Sequence, residues 1–185
     1  LKFYLSSYKF GNQIEKLKQL LPMAGKVGHI NNSRDWTGAD PEKKTVHQNE
    51  ELEQLQQFGL IPEILDLKEY FGKEAELRIR INQLNGIWVS GGNTFVLRQA
   101  MRLSGFDAIF DELRLRNDFL YAGYSAGICV LCDSLRYIKN VDDPNSFPYE
   151  QNKEIIWDGL NVFKFGLLPH YDSNHPESET VAKEI

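Results

Sequence analysis

Short apolar runs alternate with amphipathic stretches along most of this chain. Leu1-Lys2-Phe3-Tyr4-Leu5-Ser6 closes in a small polar residue and predicts a buried first strand. Residues 11–21 place Ile14, Leu17, Leu20 and Leu21 at helical spacing, and Pro22 stops the pattern. Residues 26–30 predict a second strand ending at Asn31-Asn32-Ser33, and the polar residues 34–44, with Gly38 and Pro41, predict a surface loop. A helix over 45–58 follows, with Glu and Gln on its wet face. The strand predicted over 60–67 contains Pro62, which cannot donate to a ladder and so places that strand at a sheet edge.

The same alternation continues. Residues 73–84 are amphipathic, Ile87-Trp88-Val89 is a short apolar strand, and Phe95, Leu97 and Met101 mark a helix. Another helix is predicted over 106–115 and a strand over 119–122, before an apolar helix. Strands separated by helices imply crossover connections, hence a parallel sheet covered on both faces, an α/β class. Beyond Asp133 the pattern loosens: 134–141 reads as a strand, 142–152 as a loop, 160–168 as one or two strands, and the end as a helix. No linker, low-complexity stretch or repeat divides the chain, so 1–185 is expected to be one domain.

Composition narrows the partners. The length of 185 residues suits one sizeable core, and 42% hydrophobic with 25% charged residues is ordinary for a globular protein. A formal net charge of −5 argues against nucleic acid, whose binders carry a basic field to displace counterions. No apolar run approaches the ~20 residues needed to cross a bilayer, and no signal-peptide pattern is visible. Cys129 and Cys132 are too few for a disulfide framework or a four-ligand zinc site, so a reduced, cytoplasmic protein is expected.

The chemistry concentrates at two turns. Gly123-Tyr124-Ser125-Ala126-Gly127 lies between a strand and a helix. A sharp bend there lifts the Ser125 hydroxyl out of the sheet, flanking glycines relieve crowding, and the Ala126 N–H is aimed where an oxyanion would form. Gly91-Gly92-Asn93 also follows a strand and opens a helix, so its amides form a candidate anion nest. In a parallel sheet both turns share the carboxyl edge, where Asn93 and Tyr124 are expected to contact substrate.

A serine nucleophile needs a base. Of the four histidines, His29 lies within a strand and His47 in a polar helix, both read as structural, and His175 as solvated. His170, after an apolar run and Pro169, follows Ser125 by 45 residues (170 − 125) and is the expected base. Asp142 and Asp143 lie between the two; Asp172, Glu177 and Glu179 are nearby in sequence. Any of them could supply the acid that sets the histidine tautomer.

Gly91-Gly92-Asn93-Thr94-Phe95, Gly123-Tyr124-Ser125-Ala126-Gly127 and Leu168-Pro169-His170-Tyr171 together resemble the signature segments of the peptidase E family. That family includes aspartyl dipeptidases and is related to cyanophycinases. The resemblance implies a three-layer sandwich with a mostly parallel central sheet, similar to class I glutamine amidotransferases (flavodoxin-like). It also implies cofactor-free, metal-free hydrolysis of small peptides through an acyl-enzyme on Ser125. His170 would be the base, Asp142 the favoured acid, and Gly92 and Ala126 the oxyanion donors. Val181 stands where aspartyl dipeptidases carry a substrate-gripping arginine, so strict Asp-X specificity does not follow. Family members usually continue for some tens of residues, so the chain is expected to lack a C-terminal part. A homodimer is a further expectation.

Other features have plainer readings. Cys129 and Cys132 are expected in the core, and Trp36, Trp88 and Trp157 in core or rim. His170, Asp172 and His175 would lie on different faces of any helix, which argues against a metal site. A catalytically silent binding or regulatory domain, or another amide hydrolase of the cyanophycinase type, remains as an alternative on the same fold.

Overall fold

Five of the apolar runs align as one sheet in the computed structural model, which describes residues 1–36 and 38–184. They are β1 (Lys2–Ser6), β2 (Lys26–Ile30), β3 (Ile61–Ile64), β4 (Gly86–Val89) and β5 (Leu120–Tyr124). Their order is β1-β5-β4-β2-β3, and every pairing is parallel. Parallel neighbours need long crossovers, which the amphipathic stretches supply. These are α1 (Ile14–Leu20), α2 (Pro41–Gln57), α3 (Glu74–Asn82), α4 (Thr94–Leu103) and α5 (Phe106–Arg114); α6 (Ala126–Cys129) and α7 (Ser178–Ala182) follow the last strand.

Successive strand residues serve opposite faces. Leu120, Ala122 and Tyr124 of β5, with Trp88 of β4, pack against Leu17 and Leu55 from α1 and α2. Tyr121, Ile87 and Val89 face the other way, onto Leu77, Val96, Met101 and Phe110 from α3, α4 and α5. The result is a parallel sheet covered on both faces, as the alternation predicts, in the three-layer, flavodoxin-like arrangement that the resemblance implies, with β4 and β5 buried from end to end. β3, with Pro62, is an edge strand as expected. No helix among the described residues is long and apolar enough to cross a membrane.

Several boundaries differ from the pattern, each for a local reason. α2 starts at Pro41 rather than 45, because Asp40 caps it by accepting from the Glu42 and Lys43 amides while Pro41 sits in the first turn. β3 stops at Ile64, and Leu67–Tyr70 is a 3-10 turn whose Leu67 amide donates to Asn32 Oδ1 at 3.0 Å. β5 runs on to Tyr124, so the bend falls wholly on Ser125. The strand predicted over 134–141 is instead loop with a 3-10 turn at Arg136–Ile138. The strands predicted over 160–168 are only an isolated bridge. There the Leu160, Val162 and Phe163 amides donate to the Val130 and Leu131 carbonyls just past α6. Those carbonyls have no helical partner, so the segment caps a helix end instead of joining a sheet. The C-terminal helix is α7, and Ile185 lies outside the described residues.

Candidate active site

The carboxyl ends of β1, β2, β4 and β5 and the start of the α7 segment enclose a cleft of about 500 Å³. Ser125 stands at the end of β5 with φ 49° and ψ −116°. A non-glycine residue reaches that left-handed φ only under strain, and here the strain turns the chain from strand to helix within one residue. The flanking glycines are needed because the neighbouring strand is so near. A Cβ on Gly127 would lie 2.3 Å from Val89 O, and one on Gly123 2.7 Å from it. The two turns meet side by side, since a Cβ on Gly91 would come within 3.0 Å of Ser125 Cβ. Gly92 has φ 151°, open only to glycine. Among the described residues no hydrogen bond occupies the Gly92 or Ala126 amide.

His170 Nε2 lies 3.1 Å from Ser125 Oγ. The ring is buried and its backbone is held at φ 68°. Its amide donates to Ser7 Oγ at 2.8 Å and its carbonyl accepts from Ser173 Oγ at 2.6 Å. His175 stacks on the ring, with centroids 3.8 Å apart and planes 13° from parallel, and Tyr8 meets it edge-on at 6.1 Å. Burial, and then His175 beside it, push the His170 imidazole down to about 4, so it is neutral at pH 7.

The remaining sequence-predicted residues line the same cleft but are bonded elsewhere. Asp142 makes no hydrogen bond or ion pair with His170 among the described residues; its Oδ2 accepts from the Thr94 amide at 2.8 Å. Burial raises its carboxyl to about 7 against the pull of Thr94. The geometry thus departs from the expected histidine–acid contact, because the first turn of α4 has claimed the carboxylate. Asn93 caps α4 by accepting from Val96 N at 3.0 Å, and its Nδ2 donates to Asp143 O at 2.8 Å. Its side chain therefore braces the turn. Tyr124 is buried, with its hydroxyl 3.0 Å from His47 Nε2.

Residues 40–185 match the family model of peptidase family S51. The chain belongs to that family. It is 31% identical over 149 residues to the uncharacterized peptidase Lmo0363 of Listeria monocytogenes, covering 80% of this chain and 69% of that one. To the peptidase E of Salmonella gallinarum it is 33% identical over 93 residues, 49% of this chain and 35% of the relative. Matches to uncharacterized peptidases of Listeria innocua and Pasteurella multocida span 54% and 59% of their lengths. A crystal structure of a proposed peptidase E protein from Listeria monocytogenes EGD-e superposes with TM-score 0.75 at 26% identity, covering 98% of this chain and 84% of that one. The fold recurs at 14% identity and TM-score 0.68 in a peptidase from an acI-B1 Actinobacterium, covering 98% of this chain and 73% of the other.

Within this cleft, sequence reasoning missed several residues. His47 is not a bystander on a surface helix: its Nε2 lies 3.0 Å from both Tyr124 Oη and Arg34 Nη2. Arginine can only donate, so Nε2 is the acceptor and the ring proton sits on Nδ1. Burial first, against the pull of Glu51, pushes His47 down to about 4. Behind it, buried Glu51 binds His29 Nε2 at 2.7 Å, and those contacts hold its carboxyl low despite burial. His175 is likewise not solvated but packed on His170, and segment 170–177 is not helical, so the argument from helix faces does not apply. Ser7 and Tyr8 follow β1, and the rule that sites gather at strand carboxyl ends could have flagged them. Arg34 and His47 carried no such signal. Val181 is fully buried and does not reach the cleft, Trp88 is core, and Trp36 is at the rim. Cys129 and Cys132 are free thiols in the core, as expected.

Proposed function

We propose that this chain hydrolyses short peptides through an acyl-enzyme on Ser125, with His170 as general base. The observation that carries this reading is the 3.1 Å contact between Ser125 Oγ and His170 Nε2 at a strained strand-to-helix bend. As Oγ bonds to the scissile carbonyl carbon, Nε2 takes its proton. The developing oxyanion is received by the Gly92 and Ala126 amides. The imidazolium then gives its proton to the leaving amine, and water releases the acyl group by the same steps. A neutral, buried imidazole suits the first step, because its lone pair is free at neutral pH.

Asp142 serves as a positioning residue in this reading. Together with Asn93 it pins the first turn of α4, and so holds the Gly92 amide beside Ser125. Substrate size follows from the cleft: about 500 Å³ suits a ligand of a few residues. Its lining carries both signs, Lys9 and Arg34 against Asp142, Asp143 and Glu177, which matches a substrate with a free ammonium and a free carboxylate.

A fluorophosphonate probe should label wild-type protein on Ser125, mapped by peptide mass, and should not label Ser125→Ala. A dipeptide panel should show turnover that the same variant loses. Folded wild-type protein that neither labels nor turns over any peptide would sink the hydrolase reading in favour of a silent binding domain.

A further inference from the structure

The Glu177 carboxylate stands beside the reacting pair without a counter-charge. Its Oε2 lies 3.9 Å from His170 Nε2 and 3.8 Å from His175 Nδ1, both beyond hydrogen-bond reach. Neither imidazole offers it a positive charge. His170 is neutral at pH 7, and His175 Nδ1 accepts a 3.3 Å hydrogen bond from the Glu177 amide, so that nitrogen carries a lone pair rather than a proton. No lysine or arginine among the described residues pairs with Glu177; Arg34 Nη2 donates to His47 Nε2 instead, at 3.0 Å. The segment is braced: the His175 ring stacks on His170 at 3.8 Å, the His170 amide donates to Ser7 Oγ at 2.8 Å, and the Ser173 amide donates to Ser178 Oγ at 3.1 Å.

We propose that Glu177 anchors the α-ammonium of the substrate, so that Ser125 cleaves after the first residue of a peptide with a free amino terminus. The distances fit that register. The contacts of His170 Nε2, 3.1 Å to Ser125 Oγ and 3.9 Å to Glu177 Oε2, leave at most about 7 Å between those two oxygens. A scissile carbon poised for attack sits about 3–3.5 Å from Oγ. The α-nitrogen stands two bonds further on, about 2.5 Å from that carbon. A charge-assisted hydrogen bond adds about 2.7–2.9 Å. This path is about 8–9 Å at full stretch, so a bent version spans the gap with the carbonyl still at the nucleophile.

Other groups of a short peptide suit the spot less well. A carboxyl terminus would meet Glu177 as a like charge, and the cleft offers it Arg34 and Lys9 instead. The leaving nitrogen is uncharged and is committed to the proton on His170 Nε2. A basic side chain carries the right charge, but it hangs several bonds further from the α-carbon and would have to fold back. Burial first, and Glu177 behind it, raise the Asp142 carboxyl to about 7, so two acids face this part of the cleft and an ammonium there relieves their repulsion. The cleavage register rests on the hydrolase reading above, whereas recognition of the ammonium does not.

The test compares Ala-Ala with propionyl-Ala, which differ only by the amino group. Wild-type kcat/KM should favour Ala-Ala by more than about tenfold. Glu177→Gln should lose about tenfold to a hundredfold on Ala-Ala and less than about threefold on propionyl-Ala. Fluorophosphonate labelling of Ser125 in that variant checks that it folds with a working nucleophile. An equal loss on both substrates would mean that Glu177 supports the His170 imidazolium instead, and it overturns the anchor, as does no loss on Ala-Ala. N-acetyl-Lys-Ala carries only a side-chain ammonium, and dependence on Glu177 there with none on Ala-Ala overturns the α-amino assignment. Calorimetry on Ser125→Ala reads binding without turnover. Ala-Ala should bind more than about tenfold tighter than propionyl-Ala, and Glu177→Gln in the same background should erase the difference. That preference in a chain whose wild type cleaves no peptide supports the anchor and refutes the hydrolase reading. No preference for Ala-Ala overturns the anchor, whatever the chain cleaves.

Discussion

Acidifying a peptidase assay from pH 7 to pH 5 tests the state of His170 directly. Burial, and then the stacked His175, push its imidazole down to about 4. With an inflection there, about nine-tenths of the base is still free at pH 5, where an ordinary histidine near 6.5 would leave about 3%. The difference is roughly thirtyfold in active enzyme at that pH. kcat/KM for a dipeptide, measured from about pH 3.5 to pH 8, should therefore stay within about 10% of its neutral plateau at pH 5. His175→Ala removes the neighbouring ring and opens His170 to water, so both causes weaken and the inflection should climb toward 6.5. Circular dichroism at each pH separates this from unfolding, which has its own acid window. His170 and His47 both have folded values near 4, below the unfolded 6.5. Between those values the unfolded chain binds more protons. Their contribution to stability is full above about pH 6.5 and is lost as pH falls toward 4. A wild-type inflection at 6.5 in folded protein, or one that His175→Ala leaves in place, would refute the reasoning.

Three other outcomes follow from the same geometry. Ser125→Gly should abolish probe labelling yet raise stability by about 1 kcal/mol in thermal melts, because glycine relieves the left-handed φ at a smaller entropic cost. Asp142 has a folded value near 7 against 3.8 unfolded, so the unfolded chain releases its proton first and stability falls as pH rises through that window. Asp142→Asn keeps an acceptor for the Thr94 amide without the charge. Denaturant titrations should show it more stable than wild type by about 1–2 kcal/mol at pH 8 and by little at pH 4, since the partly buried carboxyl is still screened by solvent. Gly127→Ala forces a methyl against the Val89 carbonyl and should cost about 1–3 kcal/mol, read from the same titrations. An unchanged midpoint would mean that α6 can shift off β4 freely.

Several parts of this molecule were legible before any coordinates. Ile87-Trp88-Val89 is apolar at every position because both faces of a central parallel strand are covered, and burial of that kind is written into composition. Pro62 marked the edge strand because a missing N–H is a property of the residue itself. The bend at Ser125 and its contact with His170 were legible for a related reason: a strand-to-helix bend needs small neighbours, and only a few histidines could follow it.

What tertiary structure decided was which polar groups meet. Asp142 lay on the expected side of the nucleophile in sequence, but the unpaired Thr94 amide at the start of α4 took its carboxylate. His47 comes from a helix whose sequence is polar almost throughout, and only the crossover from β2 swings it beneath Tyr124 and Arg34. His175 and Glu177 sit in a segment without periodicity, and their approach to His170 depends on left-handed φ angles at His170 and Asp172. Apolar burial leaves a repeating signal along the chain because every residue on a face obeys it. A contact between two polar side chains is a single event, set by the register of a sheet and the path of a loop, and no periodicity records it.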